Sequence, residues 1–137
     1  MIFPTRDQIV RLNRRHLEIA GTLYVQPDNL RNSSSLEWVL DVIQYPLFGV
    51  DHYPTLAEKG ACLAWTIITG HVFHDGNKRT GMSAMDVFIR QNGYQLSCSN
   101  EEIVEIALRI AARNTPDDYT LDEFVEWVRS KLIPLSY

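Results

Sequence analysis

The stretch "LAWTIITGHVFHDGNKRTGMSAMDVFIRQN", Leu63 to Asn92, decides how the chain is read. It opens on an apolar run. Its second half repeats apolar residues at helical spacing, with Met82, Met85, Phe88 and Ile89 on one face. Asn92-Gly93 supplies a helix stop. Two helices are therefore expected, the second from about Lys78 to Gln91. Between them, His71 to Arg79 carries two histidines, an acid, an amide and two adjacent cations. A connector needs only turn residues, and Gly76-Asn77 would suffice. So much polar chemistry between two buried segments marks a candidate site.

Working outward, the pattern [ST]-x-x-[EQ] ahead of an apolar run recurs at Thr5–Gln8, Ser34–Glu37, Thr55–Glu58, Ser99–Glu102 and Thr120–Glu123. This is the capping box of a helix start. Behind each box the apolar residues fall three and four apart, as in Ile9/Leu12/Leu17 and Leu36/Val39/Leu40/Ile43. The fold class this predicts is an all-α bundle, a single domain over residues 1–137. Two pieces depart from it. "YQLSCS" after Gly93 is a short extended segment. "YPLFGVDHYP", Tyr45 to Pro54, has Pro near each end, a Gly in the middle and aromatics between. It reads either as a connector or as a β-hairpin flap whose edge, at Phe48, Gly49, Val50 and Asp51, accepts a partner's extended peptide.

Composition bounds the function. Of 137 residues, 45% are hydrophobic and 22% charged, ordinary values for a globular chain long enough to bury a core. No apolar run is of membrane-spanning length, and the N-terminus lacks a signal-peptide core. Cys62 and Cys98 are too few for a disulfide framework, which suits reduced thiols in the cytoplasm. A net charge of −4 is unlike a dedicated nucleic-acid binder. A nucleotide needs only a local patch of cations and N–H groups.

That patch is expected at the second helix's start. With the helix beginning near Asn77 or Lys78, its first N–H groups lack partners and face the Asp75-Gly76 loop. Gly76 admits a phosphate close to the backbone. Lys78 and Arg79 place positive charge where a helix dipole disfavours it, a conflict that an anion relieves. Asp75 is either an N-cap or ion-pair partner of Lys78, or a Mg²⁺ ligand beside phosphate oxygens. His71, four residues earlier, is placed to take a proton from a hydroxyl nucleophile. Phe73 is a core anchor that fixes the loop; His74 faces outward without a role.

His71-Val-Phe73-His-Asp75-Gly76-Asn77-Lys78-Arg79 resembles the signature of the Fic/Doc (Fido) superfamily, H-x-F-x-[DE]-[AG]-N-[GK]-R. "YPLFGVDHYPTLAEKGACLAW" and "RTGMSAMDVFIRQNGY" are similar to the flap and flanking helices of its death-on-curing (Doc) branch. The resemblance implies the Fido helical bundle with a short β-hairpin flap. It implies His71 as general base, Asp75 as Mg²⁺ ligand, and Gly76, Asn77, Lys78 and Arg79 as a phosphate cradle for ATP. AMP-transferring members typically have Gly at the position of Lys78 and a second Arg at that of Met82. The Doc branch has the Lys, lacks that Arg, and is thought to bind the nucleotide reversed. Phosphoryl transfer to a protein hydroxyl, as on elongation factor Tu, is then the implied reaction, with translation arrested and a separate antitoxin as inhibitor. AMP transfer is the nearer alternative. A metal phosphohydrolase built on His74-Asp75 would need ligands that only His16 and His52 remain to supply. A binding module would have no reason to keep both His71 and Asp75. Ser33–Glu37 fits the first five positions of the self-inhibiting Fic motif, but Trp38 follows, so the segment reads as a helix cap.

Overall fold

The computed structural model describes residues 1–115 and 118–136. Among them the chain forms α1 (Arg6–Ala20), α2 (Ser33–Gln44), α3 (Leu56–Thr69), α4 (Asn77–Gln91), β1 (Tyr94–Leu96), α5 (Asn100–Ala111), α6 (Leu121–Lys131) and β2 (Leu132–Pro134). The expected all-α bundle is what forms. Thr5 and Ser99 form complete capping boxes, whereas Thr55 and Thr120 make only the forward half. Thr5, Thr55, Ser99 and Thr120 each accept the N–H of the residue three ahead. Gly93, at φ +87°, follows the end of α4.

Ser34 is the exception. It lies inside α2, whose N-cap is Asn32, and Asn32 makes no cap bond of its own. Its Nδ2 donates instead to Ser35 Oγ (2.8 Å) and to the Gly70 carbonyl (3.1 Å). A tertiary tie to the end of α3 displaces the local cap, so Ser33–Glu37 is not a capping box.

The α3–α4 pair is the centre. On one side Ile9, Leu36, Val39, Val42 and Ile43 of α1 and α2 close over Leu63, Ile67 and Phe88. On the other, Ile106, Ile110, Phe124 and Val128 of α5 and α6 close over Ala57, Ala61, Ala64, Ile68, Met85 and Ile89. α4 approaches α3 most closely at Gly81, where a Cβ would stand 2.9 Å from Ile68 Cγ1 and 3.0 Å from the Ala64 carbonyl. β1 and β2 pair antiparallel with Gln95 opposite Ile133. The extended segment read after Gly93 is thus a strand that ties the C-terminus to the end of α4.

The flap segment does contain a hairpin. Leu47 and Val50 exchange two 2.9 Å backbone hydrogen bonds. Phe48 (φ +50°) and Gly49 (φ +77°) form the two-residue turn, both left-handed as such a tight hairpin demands.

Candidate active site

The site begins at the end of α3. Gly70 N–H reaches the Thr66 carbonyl (2.8 Å) and Val72 N–H reaches back to Ile67 (3.4 Å). This closure requires a left-handed residue at the position between them, usually Gly. Here it is His71, at φ +46°. A non-glycine residue there costs roughly 1–2 kcal/mol. An exposed imidazole is held at a strained corner where glycine would be easier.

The loop beyond is pinned from behind. Val72 O accepts the N–H groups of Arg31 (2.8 Å) and Asn32 (3.0 Å), and His74 N–H donates to Asn29 O (3.0 Å). Asn13 Nδ2 donates to the Asp75 carbonyl (3.0 Å) and to Thr80 Oγ1 (3.1 Å), and Asn29 Nδ2 to Asn13 Oδ1 (2.9 Å). Asn13, Asn29 and Thr80 are all fully buried. Such a network is stabilising only when every member is satisfied, as here. Phe73 is also fully buried, the anchor expected of it. Asn13 and Asn29 are supports of the loop that its own sequence does not announce. The signal for Asn13 was present: it lies four residues after Ile9 and four before Leu17, a polar residue on an apolar stripe.

At the start of α4, Gly76 is left-handed (φ +79°), and a Cβ there would meet Asn13 Nδ2 at 3.0 Å. Its N–H donates to Asp75 Oδ1 (2.7 Å). The first intrahelical donor is Thr80, reaching Gly76 O at 2.9 Å. The N–H groups of Asn77, Lys78 and Arg79 precede it and have no partner within the helix. Asn77's side chain faces inward, bridging Phe73 N–H (2.9 Å) and Phe73 O (2.8 Å). Its backbone N–H is therefore its means of touching an anion. Lys78 and Arg79 are exposed.

His71, Asp75, Gly76, Asn77, Lys78 and Arg79 line one cavity of about 390 Å³ between the ends of α1, α3, α4 and α5. His74 and His16 join them there. His16 bonds Ser83 Oγ at 2.8 Å, and burial, then Arg79 and Arg15, lower its pKa below the ordinary histidine value. His16 therefore adds a neutral ring to the wall. The donor set suits a magnesium–triphosphate: N–H groups without helical partners, two exposed cations, and one exposed carboxylate with an oxygen to spare. Among the described residues no group of three metal-ligating side chains comes together.

Phe48, Gly49, Val50 and Asp51 do not line this cavity. The flap enters α3 at its N-terminal end and His71 leaves it at the other. From Lys59, beside the flap, to Gly70 the helix rises roughly 16 Å. A target segment touching both would need about five extended residues between the contacts. Asp51's carboxylate, moreover, accepts from Lys59 Nζ at 3.3 Å and from Tyr53 N–H at 3.1 Å. Its side chain braces the flap from within, while Phe48 and Val50 stay exposed.

A helical bundle that sets an exposed histidine against a glycine-led, cation-rich helix start defines a class. The sequence profile of the Fic/DOC family matches residues 3–89, and the chain belongs to that family. Over 87 residues, 63% of this chain and 67% of the relative, it is 33% identical to the protein named Toxin Doc of Mycolicibacterium smegmatis.

Proposed function

We propose that this protein is a Doc-like toxin of a toxin–antitoxin pair that transfers the γ-phosphoryl group of ATP to a hydroxyl side chain of a target protein. Elongation factor Tu is the expected target and arrest of translation the consequence. The observation that supports the reading is that His71 and the Asp75–Arg79 turn line one cavity together. A hydroxyl entering it gives its proton to the His71 imidazole. Its oxygen forms the new bond to the γ-phosphorus as the bond to the β–γ bridging oxygen breaks and ADP leaves. The N–H groups of Asn77, Lys78 and Arg79, with the two cationic side chains, hold the phosphate oxygens in line with that attack. Asp75 would hold Mg²⁺, which supplies charge neutralisation on the phosphates.

Lys78 supports phosphoryl rather than AMP transfer, since its side chain stands where an AMP-transferring relative leaves space. Met82, only 7% exposed, belongs to the core and offers no charge to an outer phosphate. An adjoining groove of about 760 Å³, lined by Ile19, Met82, Ile103 and Leu108 and ending at Lys78 and Arg79, suits an amphipathic acidic segment of the antitoxin. Labelled ATP tests the assignment. With a bacterial lysate, label from γ-labelled ATP is expected to reach one protein and label from α-labelled ATP none. Label from the α position alone would establish AMP transfer instead. Lys78→Gly is expected to weaken the γ reaction at least tenfold, about 1.4 kcal/mol of barrier.

A further inference from the structure

Among the described residues, Lys59 is the one charged side chain in the buried set, at 6% exposure. It stands in the first turns of α3, where an apolar residue would pack without desolvating an ammonium group. Its Nζ donates to the Ile43 carbonyl at 2.7 Å and lies 3.3 Å from both carboxylate oxygens of Asp51. Ile43 is in the last turn of α2, whose carbonyls lack helical partners and form the negative end of its dipole. Asp51 belongs to the flap, and the same carboxylate caps Tyr53 N–H at 3.1 Å. One buried cation thus joins the end of α2, the start of α3 and the segment running between them. The flap tip beyond has no such support: Phe48 is fully exposed and Val50 is 55% exposed. A buried ammonium that loses its carboxylate is strongly unfavourable, so the Asp51 side of the hairpin is held down whenever α2 and α3 are packed.

We propose that Lys59 is a positioning residue: it fixes the flap, through Asp51, as a preformed docking edge for the target protein outside the lining of the phosphate cavity. This rests on the reading of the chain as a transferase acting on a protein hydroxyl. An edge ordered in advance spares the ordering cost at binding and so acts on target affinity. It leaves the nucleotide site untouched, because no flap residue lines that cavity.

The test compares the parent with Lys59→Met, an apolar replacement of similar length, and Asp51→Asn, a change at a half-exposed position that preserves packing. In Lys59→Met, hydrogen exchange at the Leu47 and Val50 amides is expected to quicken while the thermal midpoint holds or rises. Affinity for Mg-ATP should not change. Label transfer from γ-labelled ATP, followed against lysate concentration, should show an apparent KM raised about tenfold with kcat near the parent's, as expected for lost preorganisation. Asp51→Asn should repeat the faster exchange and the higher KM. Unchanged exchange in both variants, or faster exchange without a KM change, would overturn the proposal. So would equal losses in ATP affinity and kcat, which mark general damage. If the parent transfers no label at all, the transferase reading fails, and exchange alone then decides whether Lys59 holds the flap.

Discussion

At the scale of the residue, His71 is where stability and chemistry pull apart. Its left-handed backbone (φ +46°) closes the end of α3, a place where glycine is usual. Relief of strain is offset in part by the larger unfolded-state entropy of glycine. His71→Gly is therefore expected to be as stable as the parent or more stable by up to about 1 kcal/mol in urea unfolding. It should nevertheless lose phosphoryl transfer by ~10²–10⁴, the usual contribution of a general base. A variant that is destabilised yet active would remove His71 from the mechanism. Much of this neighbourhood was legible in the sequence, because His71, Phe73, Asp75 and Gly76-Arg79 lie within nine consecutive residues. The buried supports were not. Asn13, Asn29 and Asn32 are far from the loop in sequence and meet it only once α1 and α2 have packed. The inward turn of Asn77 was also hidden, since its amide serves equally for a phosphate or for its own backbone.

At the scale of the element, the start of α4 depends on one backbone conformation. Gly76 turns left-handed just ahead of three N–H groups without helical partners, and its missing Cβ leaves room for Asn13. Gly76→Ala would strain the turn and push against Asn13 Nδ2, loosening the bonds to the Asp75 carbonyl and Thr80. A stability loss of about 1–2 kcal/mol is expected by urea denaturation. Mg-ATP affinity, measured by calorimetry, should also fall, whereas His71→Gly should keep it. Equal ATP affinity in parent and Gly76→Ala would show that these N–H groups do not hold the phosphates. Four of the five proposed helix caps are visible from sequence because a cap is local chemistry. Ser34 fails because Asn32, next to the true start of α2, binds Gly70 across the fold. The flap was recognisable as a hairpin from its Pro and Gly content. Its absence from the lining of the His71 cavity was not, because that depends on how α2 and α3 pack.

At the scale of the whole molecule, the family match ends at residue 89 while the packing does not. Trp65 of α3 lies 6.3 Å from both Tyr119 and Phe124, and Phe124 stacks on Trp127 at 6.2 Å. We propose that residues 1–137 form one cooperative unit. Thermal unfolding followed by tryptophan fluorescence, which reports on Trp38, Trp65 and Trp127, should share one midpoint with helix loss by circular dichroism. Two separated midpoints would divide the chain.

Because the central α3–α4 pair is covered by different stretches of chain on its two sides, we expect the site to work only when both stretches are present. A first piece ending at Cys98 contains every residue of the His71–Arg79 loop. It leaves Ala57, Ala61, Ala64, Met85 and Ile89 bare where α5 and α6 belong. The second piece carries that cover, the Ala111 wall of the cavity and the β2 partner of β1. Neither piece alone should harm a cell. Produced together they should meet along α3 and β1 and arrest growth, so that two separate promoters act as the two inputs of a genetic AND gate.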